Sequence, residues 1–373
     1  MLAIPKIDFF EPLATKIITL ENLREKSISV STPAQAFAQL HSLFRITESL
    51  ASARIEGNHT TIADYVQDKI EGKQNSQAHI EISNIEECIQ LINQEFEANP
   101  DYKISEFFIK QLHGVLTQNL TNEGSYTPGT YRSHNVKITG SKHTPPEFFT
   151  VPDYMTELFD FINKEDPIQA SLLKVAIAHH RFVWIHPFDN GNGRMARLLT
   201  YAMLRQYGFF KVYFLNPAAV FCQDREGYIS GLELADSGNE ENIKLWCNYV
   251  LDGLLRESSK IKKLFNKDFL DNKIIMPALD YAINNNLISA EEKKVLQCSL
   301  AKNDYVIMVK DLKDIFKEKT DAQLTYIVKQ MLNNHLLRKD NEKSRKYTIN
   351  LNAHRLTRGM LESLINEGLV EFK

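Results

Sequence analysis

The residues best suited to chemistry lie together in one stretch, His186-Pro187-Phe188-Asp189-Asn190-Gly191-Asn192-Gly193-Arg194-Met195-Ala196-Arg197. Proline disfavours helical geometry in the residue before it, so Pro187 is expected to stop the apolar run that precedes it. Gly191 and Gly193 admit backbone conformations that turn successive N–H groups toward one point. The helix expected to follow adds its positive N-terminal end. Such a nest binds anions, of which phosphate is the common biological one. Arg194 and Arg197, three residues apart, lie near one face of that helix's first turn and can contact further phosphates. His186 sits at the rim, where a neutral imidazole can take a proton from an incoming hydroxyl. Together these groups suggest transfer of a phosphate-linked group to a hydroxyl. The alternative is a capped helix after a polar loop, with a structural histidine.

A second stretch, Ser52-Ala53-Arg54-Ile55-Glu56-Gly57-Asn58, ends an N-terminal helical run. Ser52 and Glu56 are four apart and share a helical face, so the hydroxyl can orient the carboxylate. Gly57 is well placed to end the helix. Taken alone, this is an ordinary helix end with a solvated Glu56.

The elements that must position these residues are mostly helical, and no internal repeat is evident. Pro33–Leu50, Ile80–Ile92, Ile104–Leu116, a run from Tyr154, Ser171–Ile185, Arg194–Tyr207 and Asn242–Leu255 all carry helical periodicity. Between Thr121 and Pro152 the composition shifts to Gly, Pro, Ser and Tyr. There the alternating Asn135–Gly140 reads as a short hairpin or flap. The lysine-rich Ser258–Lys273 is the expected linker. Beyond it, two short helices (Val309–Phe316 and Asp321–Leu332) precede two strands (Leu336–Lys339 and Arg345–Ile349) joined by a polar turn, which is the outline of a winged helix.

The chain has 373 residues, enough for two or three domains, with 43% hydrophobic and 24% charged residues, a globular balance. The formal charge of −3 provides no global basic field for nucleic acid. No apolar run approaches the roughly 18 residues needed to span a bilayer, and the start lacks the pattern of a signal peptide. A cytoplasmic location without membrane contact is the expectation. Cys88, Cys222, Cys247 and Cys298 are widely spaced, which argues against a zinc ribbon or a disulfide framework and for reduced thiols.

The stretch from His186 to Arg197 resembles the signature of the Fic (Fic/Doc) family, H-x-F-x-[D/E]-G-N-G-R-x-x-R, at every fixed position but Asn190. Leu112–Leu116, Pro128–Arg132 and Val136–Gly140 upstream, and Gly227-Tyr228 and Trp246 downstream, stand in the order seen in that family. The resemblance implies a mostly α fold, a Fic-type helical bundle with a β-hairpin flap, plus a C-terminal winged-helix-like α+β domain. The expected divisions are 1–99, an N-terminal helical region carrying an inhibitory helix; 100–257, the catalytic core; and 274–373, the winged-helix-like domain.

By the same resemblance the chain would be an enzyme, a protein adenylyltransferase that moves AMP from ATP to a Ser, Thr or Tyr hydroxyl of a target protein. His186 would deprotonate the hydroxyl. Gly191, Asn192 and Gly193 would hold the α/β-phosphates, and Arg194 and Arg197 the β/γ end. Phe188 would be a buried anchor. Val136, Lys137, Ile138, Thr139 and Gly140 would form a flap that grips the target by strand addition. Tyr228 would either face the nucleoside or pack. Ser52, Glu56 and Gly57 match the family's inhibitory motif, [S/T]-x-x-x-E-[G/N], in which the glutamate pairs with the second arginine, here Arg197. Asn190 occupies the position of the usual acidic Mg2+ ligand. Its amide oxygen is a weaker ligand for a hard cation, and Asp189 is the alternative.

Other readings remain open. One is an enzyme of the same fold that removes AMP, with Glu56 positioning a water. Another is a nucleotide-sensing transcriptional regulator. Residues 302–346 carry eleven basic against seven acidic side chains, a mild surplus, so DNA and a docked protein are alternative partners for the C-terminal region. Self-modification and a homodimer are further expectations of the family resemblance.

Overall fold

The computed structural model describes residues 2–25, 31–73, 76–209, 216–339, 341 and 344–370. In chain order the helices begin with α1 (Pro12–Glu25), α2 (Ala34–Ile55), α3 (Ile62–Glu71), α4 (Gln77–Ala98), α5 (Glu106–Thr117) and α6 (Val151–Asn163). They continue with α7 (Ser171–Ile185), α8 (Asn192–Gln206), α9 (Pro217–Gln223), α10 (Arg225–Ala235) and α11 (Glu240–Lys262). After α12 (Lys267–Phe269) and a π-helical turn, Leu270–Ile275, come α13 (Met276–Asn284), α14 (Ala290–Leu300), β1 (Val306–Ile307) and α15 (Asp321–Asn333). The chain closes with β2 (Leu337–Lys339), β3 (Tyr347–Ile349) and α16 (His354–Asn366). The protein is therefore mostly α, as its periodicity predicts.

Two compact units interleave along the sequence. One comprises Met1–Ser27, Arg45–Thr60 and Lys73–Ser259; the other comprises Ile28–Phe44, Thr61–Gly72 and Lys260–Lys373. This differs from the three consecutive divisions 1–99, 100–257 and 274–373, because α2 serves both units. Its first half buries Ala36, Leu40 and Leu43, and its last half buries Leu50, Ala51, Ala53 and Ile55. The boundary between the units falls within Ser258–Lys273, at Ser259 and Lys260, but the segment is ordered. The lysines conceal Ile261, Leu264, Phe265 and Leu270, all buried, which hold this stretch in helical structure.

The first unit is a helical bundle with the α7–α8 hairpin at its centre. Ser171–Ile185 is buried almost throughout, including Phe182 and Ile185, so α7 reads as apolar on every side. Trp246 of α11 is fully buried and its indole N–H donates to the Ala176 carbonyl of α7 at 2.6 Å. The hairpin's turn is pinned by Phe188, which is fully buried and stacked on the His113 ring of α5 at 3.7 Å between centroids. Cys88 and Cys247 are buried and Cys222 is half-buried, and none of the three is in a disulfide. The expected hairpin at Val136–Gly140 is absent: the segment has no regular structure and closes in a turn in which the Ser141 N–H donates to the Ile138 carbonyl at 3.2 Å. Among the described residues no strand lies beside it to supply a ladder.

In the second unit α13 packs closely on α16, and a Cβ at Gly359 would stand 2.8 Å from the Ala278 carbonyl. β3 lies between β1 and β2 in an antiparallel sheet, with Val306 opposite Thr348 and Leu337 opposite Ile349. Gln39 of α2 serves β3 and the turn after it, donating to Ile349 O and accepting from Leu351 N–H. α15, β2 and β3 stand where a helix and two strands are expected, and α14 and β1 precede them. A short 3-10 turn, Val309–Leu312, replaces most of the first predicted helix. Part of the polar turn between β2 and β3 lies outside the described residues. No described helix is long and apolar enough to cross a membrane.

Phe188→Ala is expected to destabilise the first unit by about 3–5 kcal/mol, the usual cost of emptying a large aromatic site in a core. Urea unfolding followed by the fluorescence of Trp184 and Trp246, the chain's two tryptophans and both in this unit, measures it.

Candidate active site

The site is built where α7 ends and α8 begins. His186 caps α7 in the left-handed region (φ 52°) and its N–H donates to the Phe182 carbonyl at 3.0 Å. Its Nδ1 lies 3.3 Å from the Val183 carbonyl, which assigns the ring hydrogen to Nδ1 and leaves Nε2 as an acceptor. Burial lowers the His186 pKa to about 4, with Arg132 and His143 pushing the same way, while the Val183 carbonyl opposes them. The ring is therefore neutral at pH 7. Arg132 holds this corner: Nε donates to His186 O at 2.8 Å, and its other nitrogens reach His134 O and Pro146 O. Arg132 belongs to the Pro128–Arg132 segment but was not singled out in the sequence, since nothing local shows which carbonyls it meets.

The loop from Phe188 to Gly193 is closed by its own side chains. Asn192 Oδ1 accepts from Phe188 N–H and Nδ2 donates to Phe188 O, both at 2.9 Å. Its buried amide therefore sets the loop. Gly191 takes a positive φ of 76° as the N-cap of α8, and the first-turn N–H groups of that helix have no acceptor within the helix. The anion nest therefore survives as a backbone feature.

Both arginines of the motif are nearly completely buried, and both already have anionic partners. Arg197 Nε donates to Ser52 Oγ at 2.9 Å, and one terminal nitrogen donates to Ser52 O at 3.1 Å and to Glu56 Oε1 at 2.5 Å. Burial would raise the Glu56 carboxyl, but Arg197 beside it, with Arg194 and Arg225 farther off, holds it below its ordinary value. Gly193 makes this approach feasible, because a Cβ there would lie 2.5 Å from Glu56 Oε1. Gly57 ends the helix behind Glu56 at φ 97°. Ser52, Glu56, Gly193 and Arg197, far apart in sequence, are thus brought together.

Arg194 is held by two acidic residues that carry no sequence motif. One terminal nitrogen lies 3.1 Å from Glu81 Oε1, and the other donates to Glu123 O at 2.8 Å and Glu123 Oε2 at 3.0 Å. Tyr228 is 5% exposed and does not face an open nucleoside site. Its hydroxyl lies 2.9 Å from His179 Nε2, and its ring packs on Phe221. The Thr200 hydroxyl donates to Ala196 O, so His179 Nδ1–H donates to Thr200 and Nε2 accepts from Tyr228. Tyr228 is therefore a packing and positioning residue.

Asn190 and Asp189 do not fit the role of ligands for a divalent cation, because their side-chain oxygens are engaged by protein donors. Asn190 Oδ1 accepts the Gly191 N–H at 2.7 Å, and its Nδ2 donates to two carbonyls. Asp189 Oδ1 accepts from Ser125 Oγ at 2.5 Å and Oδ2 from Tyr126 N–H at 2.9 Å. Among the described residues no cluster of three His, Cys, Asp or Glu side chains is arranged to hold a metal.

Residues 103–204 match the model of the Fic/DOC family. The chain is 32% identical over 152 residues to a probable protein adenylyltransferase from Aquifex aeolicus, a match covering 41% of this chain and 43% of the relative. It is 30% identical over 162 residues to a protein adenylyltransferase Fic from Nematostella vectensis, covering 43% and 35% respectively. The chain thus spans less than half the length of these curated relatives. A crystal structure of a Fic family protein from Desulfovibrio desulfuricans G20 shares the fold at a TM-score of 0.54 and 18% identity, covering 93% of this chain and 98% of that one. Residues 103–204 of this chain thus carry a domain similar to the Fic/DOC family.

Proposed function

We propose that this chain is a protein adenylyltransferase, transferring AMP from ATP to a hydroxyl of a target protein, and that Glu56 keeps it inhibited. The observation that carries this reading is the Glu56–Arg197 pair at 2.5 Å, because a buried arginine at an anion nest is occupied by the chain's own carboxylate. The curated relatives are named protein adenylyltransferases, which supports the same reaction class.

In the proposed reaction the first-turn N–H groups of α8 and the two arginines bind the triphosphate. His186 Nε2 takes the proton of the target hydroxyl as its oxygen attacks the α-phosphorus. The bond from that phosphorus to the bridging oxygen breaks, and pyrophosphate leaves with the electron pair. Donors preorganised around the phosphates stabilise charge as it develops. While Glu56 sits on Arg197, the γ-phosphate has no counter-charge there and the triphosphate cannot align.

Glu56→Gly is expected to raise AMP transfer to the chain itself and to added protein at least about tenfold, the value of one charge-assisted pair. Intact mass after incubation with ATP reads this out as added AMP. Glu56→Gly combined with Arg197→Ala is expected to lose the gain, and His186→Ala in the Glu56→Gly background is expected to transfer almost nothing. If Glu56→Gly transfers no faster but has lost removal of AMP from a modified target, the reaction runs in the other direction.

The pH profile tests the base separately. A histidine with a lowered pKa is neutral, and so competent as a base, at every pH above that value. The acid limb of kcat/KM in Glu56→Gly is expected near pH 4 rather than 6.5, since removing Glu56 takes away a charge that raises His186. A limb near 6.5 would assign the base to another group.

A further inference from the structure

Asn190 departs from the acidic residue usual at its position in the signature, and its hydrogen bonds show a use for the change. Nδ2 donates to Asn122 O at 3.2 Å and to Gly124 O at 3.1 Å, the two residues that flank Glu123. A carboxylate at the same place has no hydrogen to donate and would repel both carbonyls. The bend is tight, for a Cβ at Gly124 would lie 2.1 Å from the Leu120 carbonyl. Glu123, held between the two stapled residues, meets Arg194 through both its carbonyl and its carboxylate. The Arg194 side chain is 1% exposed and that of Glu123 is 42% exposed. The carboxylate can therefore swing into solvent while the guanidinium stays. Glu81, buried and tied to Asn58 at 2.8 Å, holds the other side of Arg194 in place. Glu56, Glu81 and Glu123 together line a cavity of ≈ 200 Å³ beside the two arginines.

We propose that Glu123 is a second inhibitory carboxylate, set on Arg194 by the Asn190 amide, so that each arginine of the phosphate site carries its own displaceable block. The proposal rests on the reading of this cradle as a triphosphate site. Removing Glu56 alone then frees only Arg197. A triphosphate must still expel Glu123, whereas a nucleotide without β- and γ-phosphates gains nothing from its departure.

The test is a binding cycle on the full chain, with ATP and AMP as probes, titrated by calorimetry in the presence of a chelator. The variants are Glu56→Gly alone and with Glu123→Ala, with Asn190→Ala, and with both. Glu123→Ala is expected to tighten ATP about threefold over Glu56→Gly, in keeping with a half-exposed ion pair, and to leave AMP unchanged. Asn190→Ala is expected to produce the same gain, and the triple variant no more than either, because the two act through one contact. Equal ATP affinity with and without Glu123, including no binding in either, overturns the proposal. So does equal tightening of AMP, which would mark a general loosening of the loop. Transfer of AMP is measured separately. A Glu56→Gly protein that binds ATP but transfers nothing counts against the adenylyltransferase reading and leaves the Glu123 comparison intact.

Discussion

A guanidinium buried to 1% exposure cannot be left without an anion, and Arg197 imposes that constraint on everything around it. Its hydrogen bonds go to Ser52 and Glu56 of α2, and its charge acts on Tyr228 of α10. Tyr228 in turn depends on His179, and His179 on Thr200, which lies one turn beyond Arg197 on α8. These neighbours thus lead from Arg197 back to the same helix. One consequence is that α2, α7, α8 and α10 must all be in place for the arginine to be satisfied. Another is that the arginine is preorganised: a phosphate that displaces Glu56 meets a group already oriented by neutral partners.

In the loop before α8, the proposed phosphate site, the side chains are mostly spent on the loop and its neighbours. Asn192 is spent on Phe188, Asp189 on Ser125 and Tyr126, and Asn190 on the 122–124 segment. His113 adds a further tie: its ring stacks on Phe188, its Nδ1 accepts from Gly129 N–H, and its Nε2 lies 3.1 Å from Asn190 O. Burial lowers the His113 pKa to about 4, so this imidazole is a neutral strut. What remains free to face an anion is backbone N–H, while each of the two arginines is paired with a carboxylate. Rigidity of this kind suits a site that must hold several phosphate oxygens at once.

Much of this was legible in the sequence because it depends on local rules. Helical periodicity marked α2, α4 to α8 and α11, since each buries a face recurring at three to four residues. The signature placed an imidazole, two glycines and two arginines at one helix start, and Ser52 with Glu56 four apart placed a hydroxyl beside a carboxylate. Pairing Glu56 with Arg197 came through family likeness. The sequence contains no physical signal for a contact across 141 positions.

Tertiary structure alone decided the rest, and in each case the reason is that a side chain's partner lies on another element. Alternation at Val136–Gly140 predicts an extended chain, but a hairpin needs a neighbour to accept its ladder, and none stands there among the described residues. Lysines in Ser258–Lys273 suggest solvent, yet Ile261, Leu264 and Phe265 find a core. α2 reads as one continuous helix, and only packing shows that its two halves belong to different units. Tyr228 carries no mark that separates a nucleoside contact from a hydrogen bond to a buried histidine. Glu81 and Glu123 read as ordinary surface charges until folding brings them to Arg194. Sequence spacing determines which groups share a face of one helix, whereas charge pairing between helices is settled only where burial leaves an ion no other partner.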